Sequence, residues 1–237
     1  MLRQSVRVAP LTALVVGLLA FPASAQQVTT LDEGTFRLLE QGREIGTETF
    51  TIVRRGAGDE ATILARGEVT PGPGGSGEMQ LQVQTAGTLR PAGYVIRITG
   101  GEDQTISGKL EGRRMRASIE SAGGRGQNVR EYLVSDGAIL AEPRVAHHHY
   151  FVVTRAAEGA SRIPLIVASE NRQVFATVAI GATESVNVAA RAMDARRVSI
   201  QPEGDAERIV WVDSQNRVLR FEIPSLNFVA ERTTAPS

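Results

Sequence analysis

Apolar and polar residues alternate along most of the chain, which is typical of β-strands that bury one face. In the segment 79–83, Met79, Leu81 and Val83 alternate with glutamines. Turn-forming segments such as Pro202-Glu203-Gly204-Asp205 interrupt the alternation at a spacing of roughly 8–12 residues. This pattern predicts an antiparallel sandwich or barrel, and the absence of alternating helices and strands excludes a doubly wound fold.

One segment, 145–157, lacks the two-residue period and predicts a short helix, with Gly159 after its end. The strands on either side predict one continuous sheet with halves at 32–137 and 163–232. The second half is expected to contain separate strands at 173–180, 184–190 and 196–201. We therefore expect a single mainly β domain over residues 26–237, a curved antiparallel sheet or open β-barrel whose concave face the helix covers.

The first 25 residues have the pattern of an export signal. Arg3 and Arg7 precede an apolar run over residues 11–21, and Ala23-Ser24-Ala25 gives the small-x-small pattern of a cleavage site. The run is shorter than the ~20 residues of a membrane-spanning helix. We expect cleavage before Gln26 and a mature protein without an integral membrane segment, in the periplasm or outside a bacterial cell.

The composition excludes several classes of function. The 26 basic and 26 acidic side chains balance, so no basic patch is predicted and nucleic acid is not an expected partner. Aromatic residues make up only 5% of the chain, which argues against a stacking platform for bases or sugars. Because the chain has no cysteine, it has no thiol nucleophile, and its fold depends on the core rather than on disulfides.

No segment carries a complete catalytic or cofactor-binding motif. Gly75-Ser76-Gly77 has only part of a nucleophile elbow and lies in a flexible loop. Gly123-Gly124-Arg125-Gly126 lacks the lysine and the following helix of a phosphate-binding loop. We therefore predict no catalytic residues and no cofactor, and an undetected hydrolase remains a third possibility for the function.

The histidines of the chain are consecutive: His147, His148 and His149. Adjacent residues on a helix point about 100° apart, so three of them do not readily surround one metal ion. In a strand, His147 and His149 would share a face and form a weak two-ligand site, which Glu142 or Glu158 would complete. The alternative, which we favour, is that one or two histidines pack beside the aromatic residues that follow and the rest are solvated.

The single tryptophan, Trp211, precedes a turn that contains Asp213 and Arg217. These three residues are candidates for the rim of a ligand site. The alternative, which we favour, is that Asp213 bonds to its own backbone in the turn and that Trp211 belongs to the core. Apolar residues fill both faces of the middle of this strand, so we expect an interior strand.

Two stretches resemble exported bacterial proteins of unknown function. The first is a hairpin in which Gly42, Gly46, Glu48 and Phe50 follow the pattern x-Gly-x-x-x-Gly-x-Glu-x-Phe. The second is the Trp-x-Asp hairpin over residues 209–221. These families are similar in shape to the lipoprotein-localisation carriers, whose curved antiparallel sheet wraps an apolar cavity that helices partly close. The resemblance implies no catalytic residues, and this chain differs from the carriers in having one predicted helix rather than several.

These observations give three hypotheses for the function. The first is non-enzymatic binding of an apolar or amphiphilic, lipid-like ligand in the concavity of the sheet, because one face of alternating strands can line an apolar pocket. The second is a structural or adaptor module of the envelope that pairs with a partner through a strand edge. The third is the hydrolase. A large apolar cavity would favour the first hypothesis and a filled core the second, while the identity of the ligand and the oligomeric state stay open.

Overall fold

A computed structural model of the protein describes residues 27–101, 103–121 and 127–236. Two expectations concern residues outside these ranges: the export signal over residues 1–25 with its cleavage before Gln26, and the glycine-rich loop at 123–126. The described residues form fifteen β-strands and one α-helix. No helix among them has both the length and the apolar character that crossing a membrane requires.

The strands and the helix are, in chain order, β1 (Val28–Glu40), β2 (Arg43–Arg55), β3 (Thr62–Pro71), β4 (Glu78–Ala86), β5 (Pro91–Thr99), β6 (Gln104–Glu111), β7 (Arg114–Ser121), β8 (Gln127–Leu133), β9 (Ile139–Leu140), α1 (His149–Ala157), β10 (Arg162–Val167), β11 (Arg172–Val188), β12 (Arg191–Pro202), β13 (Arg208–Val212), β14 (Val218–Ile223) and β15 (Phe228–Arg232).

All fifteen strands belong to one sheet, in the order β8-β7-β6-β5-β4-β3-β2-β1-β15-β14-β13-β12-β11-β10-β9. Each half of the sheet is thus a series of strands that are consecutive in the chain. The pair of β1 and β15 joins the two halves, with Phe36 opposite Arg232. Among the strands of the described ranges, only β9 and β10 pair in parallel; the other neighbours are antiparallel.

The two ends of the sheet approach each other without forming a strand pair. In the described part of the chain, no ladder of backbone hydrogen bonds joins β8 to β9. Instead, Arg130 on β8 donates to the carbonyl of Asn171 at 3.3 Å, and the backbone N–H of Ser135 donates to Oε1 of Gln173 at 3.0 Å. The sheet is therefore curved and barrel-like but open, which confirms the predicted fold class.

Helix α1 fills the concave side of this sheet. It begins at His149, within the predicted segment, and the backbone N–H of Gly159 closes its end on Ala156 at 2.9 Å. Phe151, Val152 and Val153 are at most 1% exposed and belong to the same core cluster as the inward-facing residues of both halves of the sheet. The concave face is thus covered by the helix, as the sequence predicts, and is packed by its side chains.

A long hairpin extends from the second half of the sheet. Strand β10 pairs with β11 only as far as Thr177, and β13 pairs with β12 only from Arg196 onward. Between these points, residues 184–195 pair only with each other, and we call this hairpin the arm. A register shift between Ile180 and Thr183 interrupts the ladder of β11 and β12 just before the arm. The sequence pattern predicted separate strands at 173–180 and 184–190, whereas one strand spans both.

The arm packs against the outer face of the sheet. Val188 and Ala195 of the arm form a second buried cluster with Ile209, Trp211 and Leu219 of β13 and its neighbour β14. The apolar residues on the outer face of β13 are therefore covered by the arm, while those on its inner face contribute to the main core. All five residues of β13 are buried, so it is an interior strand, as the sequence predicts.

Candidate functional site

The three histidines are buried rather than solvated. His147, His148 and His149 are at most 1% exposed. The carboxylate of Glu48 on β2, itself fully buried, accepts hydrogen bonds from the backbone N–H groups of Ala146 and His147 and pairs with Nδ1 of His147, each at 2.8 Å. Our expectation of solvated histidines is wrong, because this carboxylate holds the segment before α1 inside the curve of the sheet.

Burial also keeps His148 and His149 neutral at neutral pH. Nδ1 of His148 accepts the backbone N–H of Glu142 at 3.1 Å, and desolvation lowers the pKa of His148 well below its usual value. His149 is hydrogen-bonded through Nδ1 to the carbonyl of Val145 at 3.0 Å. Desolvation, assisted by the nearby charge of Arg208, lowers the pKa of His149 to about 3.

The structure does not bring His147 and His149 together as metal ligands. The ring of His147 stacks on Phe50 and that of His149 on Phe221, at centroid distances of 5.4 and 4.2 Å. Glu142, proposed as a third ligand, instead accepts the backbone N–H of Ala168 at 2.6 Å. Among the described residues, no group of three or more metal-ligating side chains is placed to hold an ion.

The turn between β13 and β14 engages Asp213 and Arg217 with each other. The Asp213 carboxylate accepts the backbone N–H groups of Gln215 and Arg217, both at 2.9 Å, and pairs with Nε of Arg217 at 2.7 Å. The carboxylate thus organises its own turn, which is the alternative that we favoured from the sequence. Neither residue lines the groove described below.

Trp211, by contrast, lies at that groove. The indole is 9% exposed and belongs to the cluster beneath the arm, and its N–H donates to the carboxylate of Glu184 on the arm. The tryptophan is therefore buried, as we favoured, and it also borders a surface that is open to solvent. A place in the core and a place at the rim of a groove, the two interpretations of Trp211 from the sequence, are therefore compatible in the structure.

The groove has a volume of about 780 Å³ and lies between the arm and the outer face of the strands β13, β14, β15 and β1. We call it the Trp211 groove. Trp211 and Arg220 are contributed by the sheet, Glu184 to Asn187 by the β11 side of the arm, and Arg37, Glu231 and Thr233 by the two joining strands and the residue after them. Apolar and charged groups thus face the same space.

The charged residues of the groove form a row across the sheet. Arg37 lies opposite Glu231, Glu231 opposite Arg220, and Arg220 opposite Trp211 on four successive strands. Glu231 accepts hydrogen bonds from Arg37 at 2.7 Å and from Arg220 at 2.6 Å, and the two guanidinium groups hold its pKa below the usual value. The guanidinium carbon of Arg220 is 5.9 Å from the centre of the Trp211 ring, within the range of a cation–π contact.

The sequence indicates Trp211 as a candidate in this groove but does not single out Arg37, Glu184 or Glu231. In the sequence, each of these charged residues occupies a polar position of an alternating strand, which is the ordinary pattern of a solvated face. Their grouping depends on the pairing of β1 with β15 and on the position of the arm. No local signal in the sequence reports either of these contacts.

Comparisons with known proteins add a similarity of shape. No family profile matches the chain, and no curated protein sequence matches it significantly. A barrel-like bacterial structure does match. It is a beta-barrel-like protein of the domain of unknown function DUF1849 from Brucella abortus, with 14% sequence identity and a TM-score of 0.48. The match covers 90% of this chain and 99% of the other. Bacterial proteins of unknown function with a curved sheet are also the class that the sequence resembles.

Proposed function

We propose that the protein is a non-enzymatic binding module of the bacterial envelope and that its ligand occupies the Trp211 groove. The observation that carries this proposal is the groove itself, which combines an aromatic ring with paired arginine and glutamate side chains. Its volume of about 780 Å³ lies within the range of about 300–1,000 Å³ that is usual for ligand sites.

The position of this site differs from the one expected from the sequence. The concave face, where we expected an apolar ligand, is packed by α1 and by the segment that carries the histidines. The outer groove, by contrast, is open and has a volume of about 780 Å³.

The chemistry of the groove fits an amphiphilic ligand. The edge and face of an indole favour apolar contact, whereas Arg37, Arg220 and Glu231 offer donors and acceptors within one row. Arg37 is about half exposed and Arg220 about one third, so both can exchange their present partners for ligand groups at small cost. We also propose that the protein acts after export, with a mature chain that begins at Gln26.

Native mass spectrometry of the protein purified from the exported fraction of its own host tests this proposal. We expect a non-covalent adduct on the wild type that the double variant Arg37→Ala/Arg220→Ala loses. The matched control is Arg66→Ala/Arg97→Ala, which removes two exposed arginines that line a smaller depression of about 370 Å³ elsewhere on the outer face. An adduct that both double variants retain, or the absence of any adduct on the wild type, would show that the groove is not a ligand site.

A further inference from the structure

One wall of the Trp211 groove is the edge of a β-strand with free backbone groups. Strand β10 covers β11 only up to Thr177, and β12 pairs with the other edge of β11 as far as Val188. No backbone hydrogen bond between described residues reaches the first edge beyond Val178. Four successive residues of this free segment, Glu184 to Asn187, line the groove.

The register of the arm identifies which backbone groups are free. Val188 and Arg191 flank the two-residue turn, so they form a hydrogen-bonded pair, and such pairs alternate with non-hydrogen-bonded pairs along an antiparallel hairpin. Ser185 and Asn187 lie opposite Asp194 and Ala192, in non-hydrogen-bonded pairs. The N–H and C=O groups of Ser185 and Asn187 therefore point away from β12, toward the free edge.

Proteins protect exposed strand edges with charges, prolines or irregular geometry. The register shift between Ile180 and Thr183 lies before the free segment, and residues 184–188 pair with β12 without a further shift. This segment contains no proline and one charged side chain, Glu184, which is exposed and accepts the indole N–H of Trp211. The opposite edge of the arm, by comparison, carries Arg191 and Asp194, both exposed.

We propose that the Trp211 groove binds an extended peptide segment of another protein, which adds to the free edge of β11 as a new strand. This inference rests on the proposed function and specifies its ligand class, and it makes the adaptor hypothesis from the sequence the mode of binding. The peptide backbone bonds to Ser185 and Asn187, while alternate side chains face the sheet. An apolar side chain of the peptide covers Trp211, and the next inward-facing residue meets the row of Arg220, Glu231 and Arg37.

The probes are synthetic heptapeptides, selected from a random display library against the wild-type protein and measured by fluorescence anisotropy. Each selected peptide is then methylated at one backbone nitrogen at a time. Strand addition places every second N–H of the peptide on β11. We therefore expect affinity to fall about tenfold or more at alternate positions and to change little at the positions between them.

Proline substitutions test the same edge on the protein. Ser185→Pro removes a backbone N–H that points toward the groove, whereas Asp194→Pro removes one that points to the opposite edge of the same hairpin. We expect Ser185→Pro to weaken peptide binding about tenfold and Asp194→Pro to leave it within twofold. The peptide series needs no protein variant, so it decides the question even if Ser185→Pro disturbs the arm.

Each alternative outcome is distinct. Peptides that bind through the groove but tolerate methylation at every position would overturn strand addition. A native adduct that fragments as a lipid, together with no groove-dependent peptide, would overturn the peptide class while leaving the groove as a ligand site. A wild-type dimer in light scattering that Ser185→Pro converts to a monomer would show that the edge pairs with a second copy, which also overturns the proposal. The absence of any native adduct on the wild type would instead overturn the proposed function itself.

Discussion

At the scale of single residues, Trp211 connects the arm to the sheet. Its ring lies in the outer cluster and its N–H donates to Glu184. We expect Trp211→Ala to lower the free energy of unfolding by ~3–5 kcal/mol, because it removes a large buried aromatic side chain. Trp211→Phe keeps an aromatic ring but loses the hydrogen bond to Glu184. The loss of that bond is expected to lower the free energy of unfolding by about 1 kcal/mol. Urea denaturation followed by circular dichroism measures both, and an alanine variant as stable as the wild type would contradict this role.

The buried histidines give the stability a dependence on pH. Desolvation lowers the pKa of both His148 and His149, so below pH ~6.5 the unfolded chain binds protons that the folded protein does not. Stability is therefore expected to fall as the pH decreases below this value, by up to about 1.4 kcal/mol per pH unit for each histidine. Denaturant titrations at several pH values between about 7 and 5 measure this change of stability with pH.

The variant His149→Phe isolates one of these contributions. It preserves a ring on Phe221 but cannot take up a proton, so the slope is expected to be smaller by as much as one histidine contributes. Desolvation raises the pKa of Asp32 and Glu142, which acts in the opposite direction, and the comparison between variant and wild type cancels that effect. An unchanged slope would mean that His149 titrates normally in the folded protein.

The sequence could not predict the burial of the histidines, because their partner is distant. Glu48 lies 99 residues before His147, and an isolated His-His-His segment has no pattern that indicates burial. One signal was present. Glu48 and Phe50 belong to the motif through which the first hairpin resembles exported bacterial proteins, and these two residues contact His147 in the structure. The sequence motif thus indicates that Glu48 and Phe50 belong together, but it does not indicate that they contact His147.

At the scale of secondary-structure elements, the turn of the arm carries backbone strain. Ala189 and Ala190 have φ angles of 50° and 62°, in the left-handed region that costs a residue with a side chain roughly 1–2 kcal/mol. The pair Asn-Gly is favoured in two-residue hairpin turns of this kind. We expect Ala189→Asn/Ala190→Gly to raise the free energy of unfolding by ~1–2 kcal/mol, as measured by urea denaturation.

The control for this prediction is Ala192→Gly, two residues further along the same hairpin. Ala192 lies in the extended part of β12, where glycine costs roughly 0.5–1 kcal/mol. The two changes should therefore have opposite signs. A turn variant that loses stability would show that Ala189 and Ala190 do not adopt this conformation.

The same turn explains why the sequence pattern does not predict the arm. Alternation indicates strands, and glycine, proline or asparagine indicates most of the turns between them. Ala189-Ala190 contains none of these residues, and the irregularity between Ile180 and Thr183 divides one strand into two apparent ones. Helix α1 was predicted, since its lack of a two-residue period is local to the segment.

At the scale of the whole molecule, a buried ion pair holds the joint between the two halves. Two nitrogen atoms of Arg232 on β15 lie 2.7 and 3.0 Å from the two carboxylate oxygens of Asp32 on β1. Both side chains are almost fully buried, and desolvation raises the pKa of Asp32 even though Arg232 lowers it. Removing one partner therefore leaves a buried group without compensation.

We expect Arg232→Met to lower the free energy of unfolding by ~3–5 kcal/mol. The double variant Asp32→Asn/Arg232→Met removes both charges and is expected to regain much of this loss, because the cost comes from the unpaired carboxylate. A double-mutant cycle in urea measures the coupling. Losses that simply add would indicate that the two residues act independently.

Fold class was predictable at this scale, but the order of the strands was not. Alternation and regular turns specify an antiparallel meander, and the strands from β1 to β8 and from β10 to β15 follow that rule. The pairing of β1 with β15 joins residues about as far apart as the chain allows, and no local pattern indicates which distant edges meet. The Trp211 groove lies across this joint, so it could not be predicted either.

That joint gives folding of the chain a late completion step. Each strand from β2 to β8 pairs with the strand that precedes it in the chain, so these hairpins depend only on local segments. The outer edge of β1, by contrast, stays unpaired until residues 228–232, far along the chain, reach it. A molecule in which this pair has not formed retains its hairpins but presents an open edge, the feature that promotes aggregation of partly folded proteins.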